Sequence, residues 1–349
     1  MGRPIGLGAV QRDIVSLTKR HFQQYGTPPP SGPHLYSFAP FSQSSKLTSA
    51  THILTSQQVL IKTVPLSLLS VTKLKAQFDL EVANLQRVQH NCVLRLLELL
   101  PCQKDMVLVF DCTPGMTLAQ VLRRSGGVEE SEGRRVFGAV AEGLAALHEA
   151  GVVHRDLRPE HIHIEGGTGL AKVAGLGNSQ RVRRGQEIVG VVGAPAYMAP
   201  ETLLEKGFDG YAADIWSLGV LLYFLLSGSE PFKGATLLDL QKAVLRGKVT
   251  WPVEVTEEGR NLMQGMMAMR PQDRLNMREV LEHAWLRGDS EPIHFSQSRA
   301  SSPALHIRPS VLHLVERLGY PRTYTLVSLR SHCLTHASVC YHLLNRTYR

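Results

Sequence analysis

The sequence has little of what marks a secreted, membrane-spanning or disulfide-stabilised protein. Only five of its 349 residues are cysteine, and none forms a CxxC pair or has metal-ligand spacing with histidine. We therefore expect reduced thiols in a cytosolic or nuclear protein. The beginning of the chain has no apolar signal-peptide stretch, and it lacks the Ser or Thr that a myristoylation signal needs at the sixth position.

Long apolar runs are also absent. The longest, Ile215–Leu226, is interrupted by Ser217 and Gly219. A run of this length is too short to cross a bilayer and predicts a buried helix. We therefore predict no membrane-spanning segment.

The composition is that of a folded protein. Its 43% hydrophobic and 19% charged residues exclude disorder and allow one large domain of about 250 residues with a smaller appendage. The net charge is +8, but the basic residues are dispersed and the one compact cluster is 181–184. Such a cluster is typical of a solvated loop, so we predict no nucleic-acid partner.

One short stretch carries a motif with a chemical meaning. His154, Arg155 and Asp156 are followed, five residues after the aspartate, by His161. This resembles the catalytic loop of eukaryotic protein kinases, H-R-D-x-x-x-x-N. The resemblance covers residues 35–286 and implies an α+β, bilobal fold with a small β-rich N-lobe and a large helical C-lobe. It also makes Asp156 the base for the substrate hydroxyl, with Arg158 in place of the usual lysine.

The nucleotide-binding half of that motif set is recognisable as well. Residues 59–62 resemble the V-A-I-K strand, which places Lys62 at the phosphates. In that family this lysine pairs with a glutamate on the next helix. Glu81 matches that glutamate and begins a helical pattern. The resemblance also implies that Phe110 guards the back of the nucleotide pocket and that Cys112, in the hinge that follows, contacts the nucleotide.

The metal ligands depart from the kinase pattern. His161 replaces the asparagine that binds the second magnesium, and imidazole is a poor ligand for so hard an ion. Gly175 begins G-L-G where the family has D-F-G, so the principal metal-binding carboxylate is missing. Residues 40–47, where a glycine-rich loop is expected, contain no glycine. Leu60 and His163 also alter the expected adenine pocket.

The activation segment departs in the same direction. Residues 180–196 contain no Ser, Thr or Tyr, and Gly190 takes the place of the activating threonine. Arg155 would then have no phosphate to bind. Ala194 replaces the hydroxyl residue that meets the catalytic aspartate, which predicts another lost contact.

The scaffold signals of the large lobe are intact. The resemblance implies a buried ion pair between Glu201 and Arg274, and hydrogen bonds from the catalytic-loop backbone to Asp214. A retained scaffold beside altered chemistry is typical of a pseudokinase, a kinase fold used for binding.

The flanking regions complete the predicted domain organisation. Residues 1–34 form an N-terminal extension with a short helix at 8–25, and 287–304 form a linker. Residues 305–349 predict three short helices at 311–318, 324–330 and 336–344. They resemble the ubiquitin-associated-like region of the AMP-activated-kinase-related branch, most of all in the hormonally upregulated Neu-associated kinases. In that branch the region packs on the kinase domain.

The sequence therefore favours a pseudokinase that acts as a scaffold or allosteric regulator in signalling. Its expected partners are proteins, such as an active kinase, its substrates or other signalling components. No cofactor and no metal site are expected. The alternative is an active or weakly active Ser/Thr protein kinase, which would use ATP and magnesium.

Overall fold

A computed structural model describes residues 36–38, 47–102, 104–204, 206–252, 255–288 and 307–346. The described residues form two compact units, the first lying within 1–82, 95–114 and 301–349 and the second within 83–94 and 115–300. The first is rich in β-strands and the second is mainly helical, so the α+β class with a β-sheet N-lobe and a helical C-lobe is confirmed. The predicted helix at 8–25, nearly all of 40–47 and most of the linker lie outside the described residues.

A five-stranded antiparallel sheet forms the centre of the first unit. Its order is β1-β2-β3-β5-β4. The strands are β1 Tyr36–Phe38, β2 Leu47–His52, β3 Gln57–Pro65, β4 Leu96–Pro101 and β5 Asp105–Phe110. Val59 and Ile61 on β3 pack into a cluster with Leu97 and Val109. Because side chains alternate along a strand, Lys62 points to the opposite face from that cluster.

Two helices follow the third strand, α1 Leu66–Leu69 and α2 Thr72–Arg87. The prediction that the helix begins at Glu81 is wrong, because α2 begins at Thr72. The first turns of α2 are polar and mostly exposed, so they show no apolar stripe. Glu81 consequently lies in the interior of the helix, where hydrogen-bonded backbone on both sides fixes its position.

Helices build most of the second unit. They are α3 Leu118–Ser125, α4 Glu130–Glu149, α5 Gly210–Ser227, α6 Leu237–Arg246, α7 Glu257–Met266, α8 Met277–Glu282 and α9 Ala284–Arg287. One apolar face of α4 is buried, with Val136, Val140, Leu144 and Leu147 all at most 4% exposed. Five short strands form two small sheets, β6-β8-β9 and β10-β7. They are β6 Met116–Thr117, β7 Val152–Val153, β8 Ile162–Ile164, β9 Ala171–Val173 and β10 Gln180–Arg181.

The most apolar helix of the second unit is α5. The Asp209 side chain accepts from the Tyr211 N–H at its beginning, and Gly228 ends it with a φ of 68°. It is longer than the apolar run at 215–226 predicts, and by length and composition alone it could cross a membrane. However, 78% of it is buried inside the protein, as is usual for a core helix, so it is weak evidence for a membrane span.

The three tail helices are α10 Pro309–Arg317, α11 Arg322–Arg330 and α12 His336–Arg346, and they belong to the first unit. They share a core that includes Val311, Tyr320 and Tyr341. Val339 and Leu343 of α12 join the core cluster of the sheet. Polar contacts reinforce this packing: His336 Nδ1 lies 2.5 Å from Glu98 Oε1 and Arg346 Nη2 donates to the Gln58 carbonyl at 2.6 Å.

Candidate active site

The lysine and glutamate identified in the sequence lie together in the first unit. Lys62 Nζ is 2.7 Å from Oε1 and 2.6 Å from Oε2 of Glu81. Their side chains are 21% and 8% exposed. Phe110 is the last residue of β5, lies opposite Leu60 in the strand register and is 1% exposed. Cys112 follows it and is fully buried.

The catalytic-loop backbone in the second unit is held by Asp214 of α5. One carboxylate oxygen accepts the N–H of His154 at 2.7 Å, and the other accepts the N–H of Arg155 at 2.8 Å. Arg155 has a φ of 66°, a left-handed conformation that is unfavourable for residues other than glycine. The two charge-assisted bonds offset this strain and fix the direction in which the loop continues to Asp156.

Donors from its own unit surround the carboxylate of Asp156. The Ala194 N–H donates to Oδ1 at 3.2 Å, and Asn178 Nδ2 donates to Oδ2 at 3.2 Å. Arg158 Nε lies 3.5 Å from Oδ1. The hydroxyl contact expected at position 194 is absent, but the backbone N–H makes a contact in its place.

Asn178 is absent from the residues that the sequence singles out. It lies directly after Gly177, and its amide reaches Asp156 only because the chain turns through a short 3₁₀ helix at Leu176–Asn178. The one signal in the sequence that could have identified Asn178 is its side-chain amide, which follows Gly175, where the family has a carboxylate, by three residues.

The two altered metal positions, His161 and Gly175, are in direct contact. His161 Nδ1 donates to the Asp156 carbonyl at 2.7 Å and lies 3.6 Å from Asp156 Oδ2. A Cβ added at Gly175 would lie 2.5 Å from Cγ of His161, far inside normal contact distance. Burial lowers the pKa of His161, and the neighbouring His154 lowers it further, so the ring is neutral at pH 7.

These residues do not fit a magnesium ion. Magnesium requires oxygen ligands in octahedral geometry, whereas Gly175 has no side chain and the Nδ1 of His161 is committed to a carbonyl. Among the residues that the structure describes, no group of three His, Cys, Asp or Glu side chains could hold a metal. No step of phosphoryl transfer through magnesium is supported by this arrangement.

The activation segment is fastened without a phosphate. Arg155 Nη2 donates to the carbonyl of Gly190 at 2.8 Å and to that of Val189 at 3.3 Å, and Nη1 donates to Gln180 Oε1 at 2.6 Å. The sequence gives Arg155 no phosphate to bind, and the structure shows which acceptors its guanidinium has instead. The guanidinium binds backbone carbonyl oxygens, which are acceptors as phosphate oxygens are.

The scaffold contacts of the second unit agree with the motifs. Arg274 Nη1 lies 2.7 Å from Glu201 Oε1, and Nη2 lies 3.1 Å from Oε2. The same guanidinium donates to the carbonyls of Ala212 and Ala268 and lies over the ring of Trp216. Every part of this buried cation therefore has a partner, as burial of a charge requires.

Comparison with known proteins agrees with this geometry. Residues 42–286 match the protein kinase domain family. The Serine/threonine-protein kinase SIK3 homolog of Danio rerio is 32% identical over 303 residues, covering 85% of this chain and 25% of that protein. Putative sperm motility kinase W of Mus musculus is 31% identical over 238 residues, covering 68% of this chain and 47% of that protein.

A third relative is Sperm motility kinase 2B of Mus musculus, 29% identical over 302 residues, which are 86% of this chain and 61% of that protein. The chain thus spans between a quarter and about three fifths of the length of these relatives. The domain match covers well over half of the chain, and the two units carry the ion pairs and the loop geometry described above. The chain belongs to the protein kinase family.

Proposed function

We propose that the chain is a pseudokinase, which binds other proteins as a scaffold or allosteric regulator in signalling and has lost, or severely reduced, phosphoryl transfer. The observation that carries this proposal is the contact between His161 and Gly175, where the family's metal ligands are replaced by a neutral ring and a residue without a side chain. Phosphoryl transfer depends almost wholly on positioning and charge neutralisation. Loss of one electrostatic stabiliser commonly costs about 10²–10³ in rate.

The activation segment supports the same proposal. Arg155 binds the carbonyls of Val189 and Gly190, so the segment has an ordered path that needs no phosphorylated residue. A fixed segment is a suitable surface for a protein partner, because binding to it does not have to order it first.

We place the protein in the AMP-activated-kinase-related branch, on the tail resemblance and on the similarity to the SIK3 homolog. The tail most resembles that of the hormonally upregulated Neu-associated kinases. Its packing on the sheet through Val339 and Leu343 supports the intramolecular role proposed for residues 305–349. The cytosol or nucleus is the proposed location.

The second candidate function is that of a weakly active Ser/Thr protein kinase using ATP and a divalent metal. The observation that favours it is the retained polar machinery: Lys62 pairs with Glu81, and Asp156 and Arg158 occupy the catalytic loop. Mutagenesis of such groups elsewhere shows that residual rates persist after some are lost.

Thermal unfolding of the full chain separates these candidates. It should be measured with and without ATP, each with magnesium, manganese or EDTA. A ligand that binds only the folded state at about 100 times its Kd adds about 2.7 kcal/mol of stability, which raises the Tm measurably. We expect no metal-dependent rise. A clear rise with ATP and either metal would favour the enzyme.

Restoring the kinase residues gives a functional test. We expect the Gly175→Asp, His161→Asn double variant to bind the same cellular partners as the native protein. The matched control is Lys62→Met, which removes the phosphate-pairing cation and should also leave partner binding unchanged. If Lys62→Met abolishes the cellular effect while the protein remains folded, phosphoryl transfer was required and the pseudokinase proposal is wrong.

A further inference from the structure

The ring of His161 fills the space that a side chain at position 175 would occupy. Gly175 has a φ of 76°, and a Cβ built there would lie 2.5 Å from Cγ, 2.6 Å from Cδ2 and 3.0 Å from Nδ1 of the His161 ring. Contacts below 3.0 Å are essentially never seen for a Cβ, so either the ring or the backbone would have to move. The space above Gly175 is therefore filled by the imidazole.

Hydrogen bonds hold both partners in place. The ring of His161 is held by its Nδ1–H bond to the Asp156 carbonyl at 2.7 Å, and it lies 6.0 Å from the ring of His154. The backbone just before Gly175 is tied to the same two histidines. The Ala174 N–H donates to the His161 carbonyl at 2.8 Å, and the Ala174 carbonyl accepts from His154 Nε2 at 2.9 Å.

We propose that His161 and Gly175 form one interlocked unit, in which the imidazole closes the metal position and residue 175 tolerates no side chain while His161 is present. This inference rests on the proposed function and deepens it. The two departures from the kinase pattern are then one structural change and not two independent losses. It follows that an aspartate restored at position 175 alone would displace the ring before it could present an oxygen to any metal.

A double-mutant cycle on the full chain tests the interlock by thermal unfolding. The variants are Gly175→Ala, His161→Ala and the two combined. Alanine at position 175 adds only the Cβ, and alanine at position 161 removes the whole ring. The matched control is Gly185→Ala in the same unit. Gly185 has a φ of 78°, but nothing lies within 4 Å of its added Cβ, so it reports backbone strain alone.

We expect Gly185→Ala to lower the Tm by about 2–4 °C, the effect of left-handed strain in a domain of this size. Gly175→Ala should lower it at least twice as far, because the clash adds to the same strain. In the His161→Ala background the effect of Gly175→Ala should shrink to that of the control. Such a coupling between the two sites is what direct contact predicts.

The inference is overturned if Gly175→Ala and Gly185→Ala lower the Tm equally, or if removing the ring leaves the cost at position 175 unchanged. If Gly175→Ala does not fold, recovery of folding in the double variant supports the interlock. Failure of the double variant, with His161→Ala alone folded, overturns it. These outcomes are distinct from a failure of the proposed function, which is read from the response of the native protein to ATP and metals.

Discussion

Two regions of the helical unit treat charge in opposite ways. In the scaffold, the Arg274 cation is buried against the Glu201 carboxylate, and Asp214 accepts two backbone N–H groups. In the catalytic loop, the positions that the family fills with metal-binding groups hold the neutral ring of His161 and the bare backbone of Gly175. The scaffold keeps its charges, whereas the catalytic region has lost the charge that the family has at position 175.

The difference shows which charges the fold itself needs. Removing one partner of a buried ion pair leaves an uncompensated charge in a low-dielectric interior, so neither residue can change alone. The aspartate that the family has at position 175 depends on the metal to balance its charge, and without a metal an uncharged residue can take its place. Stability and chemistry are therefore separable within a single unit of this protein.

Breaking the scaffold side of this comparison should have the largest effect. We expect Arg274→Ala to lower the free energy of unfolding by about 3–5 kcal/mol, because the mostly buried Glu201 carboxylate would lose its partner. Urea denaturation followed by circular dichroism measures this. Arg278→Ala, which removes an exposed guanidinium paired with Glu282, is the control and should leave the transition unchanged. Equal effects of the two variants would contradict the comparison.

The link between scaffold and catalytic loop should come second. Asp214→Asn retains one oxygen but exchanges the other for an amide, which cannot accept a backbone N–H. We expect a loss of about 1.5–3 kcal/mol, the range for a hydrogen bond to a charged group. Asp209→Asn is the control, because asparagine caps a helix as well as aspartate does. A loss for Asp209→Asn as large as that for Asp214→Asn would show that any change at this end of α5 is damaging.

Acid extends the comparison to the first unit, because protonation of a buried histidine would place a charge where the fold holds a neutral ring. His52 Nδ1 is hydrogen-bonded to Thr55 Oγ1 at 2.8 Å. The His52 ring also lies beside the ring of His336 on α12, and His336 contacts Glu98 on β4. Burial and, to a smaller extent, the neighbouring His336 together lower the pKa of His52 from 6.5 to about 4. The unfolded chain therefore binds a proton below pH 6.5 that the folded chain does not bind until near pH 4.

Stability should consequently fall as the pH drops through 6.5, by about 1–2 kcal/mol at pH 5 from this residue alone. Thermal unfolding between pH 7.5 and 5 measures it, with His52→Asn as the variant that no longer titrates. Burial also raises the pKa of Glu142 to about 7, which acts with the opposite sign but equally in both proteins. Parallel pH profiles for the native protein and His52→Asn would rule out this role for His52.

The sequence predicted best where a motif specifies a pair of residues. Lys62 with Glu81, Glu201 with Arg274, and Asp214 with the loop backbone all follow from residue types at characteristic spacing. The tail helix predicted at 311–318 ends at Arg317, and Gly319, with a φ of 96°, lies just beyond it. In each case the physical requirement is local or is shared by the whole family.

What could not be predicted depends on the path of the backbone. Arg155 Nη2 binds two backbone carbonyl groups. Every residue has a carbonyl group, so the residue types in the sequence cannot predict this contact. The clash between the His161 ring and a Cβ at position 175 can be recognised only when the distance between them is known from the structure. The pairing of His336 with Glu98 joins two positions far apart in the sequence. The start of α2 at Thr72 was missed because its first turns lack an apolar stripe.

The contact between Arg155 and the carbonyls of Val189 and Gly190 has a consequence for timing in the cell. A phosphate can be added by one enzyme and removed by another, whereas a peptide carbonyl is present from the moment of synthesis. Residues 180–196 offer no hydroxyl group to either kind of enzyme. Phosphorylation within residues 180–196 therefore cannot switch this contact, which is set once the chain has folded.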